Sequence, residues 1–124
     1  MTVAWCGTIL GEPASKANSR RIVTVGRGRH AQRRVIKSEK ALGWVATARA
    51  QIARQRPAAL LEGRLRFEAV IYYRSERPDL DASLLLDVLQ GVVFRNDRQC
   101  REQHLYHAID KANPRSEIVV QVIG

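Results

Sequence analysis

The chain has 124 residues, which predicts a single domain over residues 1–124, and 45% of them are hydrophobic, enough for a modest core. Lysine and arginine number 21 against 12 aspartate and glutamate residues, so the formal net charge is +9. This excess favours an anionic partner, most commonly nucleic acid, and it makes a membrane surface a poorer expectation because no long basic amphipathic helix stands out.

A basic segment lies between the first predicted strand, Val3–Leu10, and the first predicted helix, and no acidic residue interrupts it. Its glycine, serine and asparagine residues disfavour a helix, so residues 14–36 are predicted to be a mobile basic loop, with room for a short hairpin through Ile22, Val23 and Val25. Arginine binds phosphate bidentately, which favours DNA contact, and a solvated surface loop is the alternative. The candidate DNA-binding residues are Lys16, Arg20, Arg21, Arg27, Arg29, Arg33 and Arg34 in this segment, and Arg77 further along.

Hydrophobic periodicity predicts the next two elements. A helix is expected from an N-cap at Ser38 to about Gln55, with Pro57 after its end. The inward positions at helical spacing are Leu42, Val45, Ala48 or Arg49, and Ile52. Strict alternation then makes residues 64–73 the clearest strand, with the odd-numbered side chains on one face and the even-numbered on the other.

The second half of the chain completes the predicted fold. Residues 82–90 are apolar nearly all round, which indicates a short buried helix followed by Gly91 as its C′ residue. Residues 103–109 and 118–123 are predicted strands joined by a turn. The order is therefore βαβαββ, a two-layer α/β (α+β) fold with a mixed sheet of about four strands and two main helices. The crossover through the second helix could be parallel, and the last two strands are predicted to form an antiparallel hairpin.

Two aspartates stand in Arg77-Pro78-Asp79-Leu80-Asp81, between the clearest strand and the apolar helix. Pro78 favours an extended entry, and side chains two residues apart on extended backbone share a face. Two oxygen ligands facing one way suit Mg²⁺, with water and a substrate phosphate completing its octahedron. Asp97 is a candidate third carboxylate that would return toward this pair. The alternatives are an N-cap role for Asp81 and turn chemistry for Asp97.

The histidines and cysteines do not suggest a metal site of their own. His104 and His107 have odd spacing on a predicted strand and so point to opposite faces, which favours surface or hydrogen-bonded roles for them and for His30. Cys6 and Cys100 lack metal-ligand spacing and predict two free thiols, with one disulfide as the alternative. With no transmembrane run and no signal-peptide pattern, a cytoplasmic protein is expected.

Several motifs occur in a recognisable order along the chain. They are Gly11-Glu12-Pro13-Ala14-Ser15-Lys16 after the first strand, Arg77 to Asp81, Asp87-Val88-Leu89-Gln90-Gly91-Val92 at the end of a leucine-rich helix, and Asn96-Asp97-Arg98-Gln99. Together they resemble the RusA family of Holliday junction resolvases. The resemblance implies a dimeric, Mg²⁺-dependent endonuclease (Mn²⁺ is also possible) that cuts four-way DNA junctions in recombination and repair, often phage-encoded. It implies Asp79, Asp81 and Asp97 as the catalytic and metal-binding residues.

The chain departs from the family pattern after the paired aspartates. Ala82 replaces an asparagine, Ser83 falls where the family has a lysine, and the segment between Asp81 and Asp87 is shorter. The candidates for the missing positive charge are Lys16, Arg74, Arg77 and Arg95. These departures motivate a second hypothesis, a catalytically impaired junction- or DNA-binding protein on the same fold. An RNA-binding module is a third hypothesis, weakened by the scarcity of aromatic side chains for base stacking.

Overall fold

The computed structural model describes residues 3–14, 20–25, 32–37 and 39–124, of which 20–25 and 32–37 are described by their backbone. The elements in chain order are β1 (Val3–Leu10), β2 (Arg20–Val25), β3 (Gln32–Lys37), α1 (Glu39–Ala53), β4 (Leu65–Tyr73), α2 (Ser83–Leu89), a 3₁₀ turn (Asp97–Gln99), β5 (Cys100–Ile109) and β6 (Arg115–Val122). The predicted α+β class, with a mixed four-stranded sheet and two helices, is confirmed.

The four-stranded sheet has the order β1-β6-β4-β5. Strand β6 is antiparallel to both of its neighbours, and β4 is parallel to β5, so the predicted parallel crossover through α2 is confirmed. The predicted hairpin of β5 and β6 is wrong, because β4 lies between them. The apolar β6 lies between β1 and β4 and so pairs with a strand along both of its edges. The turn before β6 carries the chain past the end of β4, where the Asp110 amide donates to the Tyr73 carbonyl at 2.9 Å.

The core lies between one face of the sheet and the two helices. The odd-numbered residues of β4 are all at most 2% exposed, as the alternation predicts, and four of the seven residues of α2 are buried. Gly91 follows α2 with a φ of 84°, a left-handed conformation that glycine adopts without strain, so its predicted C′ role is confirmed.

Helix α1 confirms three of the four predicted inward positions and differs at the first. Its buried residues are Ala41, Val45, Ala48 and Ile52, whereas Leu42 is 50% exposed. Both sets have helical spacing, and the periodicity alone favoured the more hydrophobic Leu42. The buried face therefore includes Ala41, four residues before Val45, in place of Leu42, three residues before it. Trp44 packs against the core, as expected for a structural tryptophan.

The two edges of the sheet differ in how they are covered. The Gln51 side chain of α1 and the Gln55 side chain just after it hydrogen-bond the amide and carbonyl groups of Leu10 and Thr8, which satisfies these groups on the outer edge of β1. At the other side of the sheet, β5 has no strand partner on its outer edge among the described residues. An uncovered edge strand is a template for pairing with another chain.

Strands β2 and β3 form a separate two-stranded antiparallel ladder, with Arg20 opposite Lys37 and Val25 opposite Gln32. The predicted short hairpin is therefore present and longer than expected, and the loop prediction is wrong for these residues. Their β-branched run explains the difference, because valine, isoleucine and threonine favour extended backbone. Of the candidate DNA contacts, Arg20, Arg21, Arg33 and Arg34 lie on these strands, while Lys16, Arg27 and Arg29 lie outside the described residues, as do His30 and Ser38.

Candidate active site

The backbone before the paired aspartates is held by two side chains of the sheet. The Tyr73 hydroxyl donates to the Asp79 carbonyl at 3.2 Å, and the His107 Nε2 lies 3.1 Å from the Pro78 carbonyl. A carbonyl only accepts, so this histidine nitrogen carries a proton. The two rings stack with centroids 4.5 Å apart. Tyr73 and His107 thus hold two consecutive backbone carbonyls, those of Asp79 and Pro78.

Sequence reasoning missed this role of Tyr73 and His107. The alternation of β4 predicts only a core position for Tyr73, and the strand pattern predicts only a surface or hydrogen-bonded role for His107. A usable signal was present for Tyr73, since a buried tyrosine normally finds a partner for its hydroxyl. His104 and His107 do point to opposite faces, as predicted, because His104 pairs with Glu68 and His107 with Ile71 in the parallel ladder.

The Asp81 carboxylate is engaged by the first turn of α2. Its Oδ1 accepts the Ser83 amide hydrogen at 3.1 Å, and the Ser83 hydroxyl lies 2.9 and 2.8 Å from the two carboxylate oxygens. The N-cap residue itself is Ala82, which offers no side-chain cap. Asp81, one residue before the N-cap position, therefore accepts the amide hydrogen that an N-cap side chain would be expected to bind. A carboxylate has about four acceptor sites, so this engagement leaves capacity for a metal ion.

Asp79 and Glu12 add to the negative charge at this end of the sheet. The Asp79 side chain is exposed and has no hydrogen-bond partner among the described residues. Glu12 accepts the Arg74 amide hydrogen at 2.9 Å. Burial raises the pKa of Tyr73, and the charges of Asp81, Glu12 and Asp79 raise it further. The Tyr73 hydroxyl thus stays protonated and remains a donor beside the carboxylates.

Asp97 lies at the opposite end of the sheet from Asp79 and Asp81. It precedes Cys100, which pairs with Leu65 at the start of β4, whereas His107, near Pro78, pairs with Ile71. Seven residues separate Cys100 from His107, roughly 23 Å of extended strand. The predicted return of Asp97 to the paired aspartates is therefore wrong within one chain, because parallel strands begin at one end of a sheet and finish at the other.

The turn that carries Asp97 is fixed by Gln99 and Asn96. The Gln99 Oε1 accepts the amide hydrogens of Arg95 and Asn96, both at 3.0 Å, while its Nε2 donates to the carbonyls of Leu61 and Gly63, also at 3.0 Å. In the sequence Gln99 is visible only as part of a motif, and the structure shows that it joins the turn to the segment before β4.

The Asn96 side chain completes this turn. It accepts the Arg98 amide hydrogen at 2.9 Å and so caps the turn. The Asp97 amide donates to Gln90 at 3.0 Å, and the Asp97 carboxylate has no hydrogen-bond partner in the described part of the chain.

Comparison with known families decides the identity of this arrangement. Residues 11–121 match the family model described as Endodeoxyribonuclease RusA. The chain belongs to the RusA family. The match runs from the end of β1 through β6 and includes all three candidate carboxylates. A search of curated protein sequences gave no match.

Membership in the RusA family indicates an endodeoxyribonuclease that acts on phosphodiester bonds. Nucleases of this kind generally depend on a divalent metal. Asp79 and Asp81 offer two carboxylates, the hard oxygen ligands that a divalent cation such as Mg²⁺ takes together with water and substrate phosphate. No group of three or more histidine, cysteine, aspartate or glutamate side chains could hold a metal ion within the ranges that the structure describes.

Two further expectations can be compared with the structure. Cys6 is exposed and Cys100 buried, and both are free thiols, as predicted. Burial raises the pKa of Cys100 to about 11, with a smaller contribution from the charge of Asp97. None of the helices in the described ranges has the length and apolar character needed to span a membrane.

Proposed function

We propose that this RusA-family protein is a Mg²⁺-dependent endonuclease that resolves four-way DNA junctions. The observation that carries the proposal is the pair of carboxylates at the end of β4, held in place by Tyr73 and His107. Mn²⁺ is the alternative ion, since it shares the preference of Mg²⁺ for oxygen ligands. The basic excess of the chain provides the electrostatic attraction for DNA.

Each residue at the site has a defined part in this proposal. Asp79 and Asp81 hold the metal, which when bound lowers the pKa of a coordinated water and offsets charge on the phosphate. Tyr73 and His107 keep Asp79 in position through their hydrogen bonds to the backbone, and Ser83 orients the Asp81 carboxylate. Arg77, which is exposed two residues before Asp79, contacts the DNA backbone in this proposal.

A two-fold dimer accounts for the position of Asp97. One chain holds Asp97 far from Asp79 and Asp81, so the third carboxylate of each site would come from Asp97 of the partner subunit. The uncovered outer edge of β5 supports such an arrangement. If two β5 strands pair antiparallel across a two-fold axis, the start of one lies beside the end of the other, where the Asp79 segment contacts His107.

The exposed side chains of β5 are consistent with this dimer. Tyr106 is 49% exposed and Ile109 is 46% exposed, and both are large enough to bury substantial apolar area against a second copy. A symmetric dimer also places two sites to cut the two strands of a pseudo-symmetric junction.

A labelled synthetic four-way junction tests the proposed function. We expect the wild type to make paired symmetric cuts with Mg²⁺ or Mn²⁺ and none with EDTA, and to leave a linear duplex of the same sequence largely intact. Asp79→Asn should abolish cutting while sparing binding. Glu76→Gln is the matched control, because it removes one exposed carboxylate nearby and should cut normally. Cutting by Asp79→Asn at the wild-type rate would refute the metal assignment.

The second candidate is a junction-binding protein with impaired catalysis. It is favoured by Ser83, which gives Asp81 a hydrogen bond where the family pattern has a lysine and therefore a positive charge. The same assay separates the two candidates. A junction that is shifted in a gel but remains uncut with both metals would support the binding protein.

A further inference from the structure

An arginine-lined cleft lies at the start of β4 and β5, at the end of the sheet where Asp97 is found. Its volume is about 520 Å³. The charged residues that line it are Arg64, Arg95, Arg98, Arg101 and Glu62, all of them exposed. We call it the arginine cleft. None of its arginines is among the DNA-binding residues that the sequence suggested.

The positive charge of the arginine cleft is largely uncompensated. Arg95 and Glu62 approach to 4.0 Å, but their side chains are 76% and 84% exposed, and a pair this exposed contributes little binding energy. Arg64, Arg98 and Arg101 have no ion-pair or hydrogen-bond partner for their side chains in the part of the chain that the structure describes. Four arginine side chains therefore line the cleft beside one acidic side chain, that of Glu62.

The backbone that presents these arginines is firmly held. Gln99 joins the turn containing Arg95 and Arg98 to the segment before Arg64 through four hydrogen bonds, and the Leu61 amide donates to the Val93 carbonyl at 2.8 Å. Arg101 is the second residue of β5. Fixed attachment points reduce the ordering cost when a ligand is bound.

We propose that the arginine cleft binds backbone phosphates of DNA, as a second contact surface in addition to the basic segment that contains β2 and β3. Guanidinium groups match phosphate oxygens bidentately, and an open cleft accepts a continuous strand. Asp97 shares a turn with Arg95 and Arg98, so a strand that reaches Asp97 also passes the cleft. The choice of DNA as the ligand rests on the proposed function, whereas the binding itself requires no cleavage.

The test uses the full chain and a fluorescein-labelled four-way junction in EDTA, with affinity measured by anisotropy over a series of salt concentrations. Arg98→Ala/Arg101→Ala should weaken binding and make the slope of log affinity against log salt shallower by about 0.9 for each phosphate that the variant no longer neutralises. Arg54→Ala/Arg56→Ala, which removes the same charge from exposed positions after α1, is the control and should keep the wild-type slope.

The outcomes separate the arginine cleft from the proposed function. Equal weakening by both double variants would overturn the inference, since it would reflect net charge alone, and so would a wild-type slope in the cleft variant. A wild type that binds the junction but does not cut it with metal contradicts the proposed function and leaves the cleft supported if the cleft variant still loses affinity. Thermal melting of all proteins by circular dichroism checks that the folds are equivalent.

Discussion

A heterodimer with different aspartates removed from its two chains should recover activity. Asp79→Asn and Asp97→Asn are each expected to be inactive as homodimers. Within one chain these residues lie at opposite ends of the sheet, because Asp97 precedes Cys100 while the Asp79 segment contacts His107, roughly 23 Å further along β5, so they cannot share a metal unless Asp97 comes from the other subunit. In the mixed dimer one site then receives both substitutions, and the other site receives none.

The expected magnitude follows from this symmetry. One intact site out of two predicts about half of the wild-type nicking rate per dimer. Because one site cuts only one strand, a supercoiled plasmid with an extruded cruciform should accumulate as nicked circles, whereas the wild type should produce linear molecules. Co-expression with two different affinity tags and tandem purification isolates the mixed dimer.

The matched control combines Asp79→Asn with Asp81→Asn. Both substitutions affect the same part of the site, so each site of this mixed dimer contains one Asn and nicking should be absent. The composite site is refuted if the Asp79→Asn/Asp97→Asn dimer is equally inactive while a doubly tagged wild-type dimer cuts normally. It is also refuted if the protein cuts the junction as a monomer.

Three further predictions concern Tyr73 and the two cysteines. Tyr73→Phe removes the hydroxyl that donates to the Asp79 carbonyl, and it should lower the free energy of unfolding by about 1 kcal/mol in urea denaturation. It should also lower the cutting rate without changing the affinity for the junction. An unchanged urea midpoint would contradict this prediction. Cys6 should react rapidly with a thiol reagent at pH 8 and Cys100 only on unfolding, because Cys6 is exposed whereas Cys100 is buried and its pKa is raised to about 11. Because burial raises the pKa of Cys100, its protonated thiol stabilises the folded state fully below the ordinary pKa of 9.0. This stabilisation is lost as the pH rises from 9.0 toward about 11. A Cys100→Ala variant should therefore lose less stability than the wild type over the same pH range. Equal reaction rates for the two thiols would contradict the burial of Cys100.

Local patterns predicted much of the fold and half of the candidate site. The alternation in β4, the apolar α2 and Gly91 after it depend on residues a few positions apart, and the structure confirms them. Asp79 and Asp81 could be proposed as a pair for the same reason, because one residue separates them.

The tertiary structure alone decided where distant segments meet. The order of the strands placed β4 between β5 and β6, and the packing of α1 buried Ala41 and left Leu42 exposed. The parallel pairing of β4 with β5 put Asp97 at the far end of the sheet from Asp79.

The sequence by itself determined the family motifs, the element types and the paired carboxylates, since each is encoded by neighbouring residues. It did not determine the role of Gln99 or the convergence of Arg64 with Arg98, because these depend on contacts between segments more than 30 residues apart. Such contacts form only when the sheet is assembled, and the sheet order is set by the burial of whole strands rather than by any local pattern.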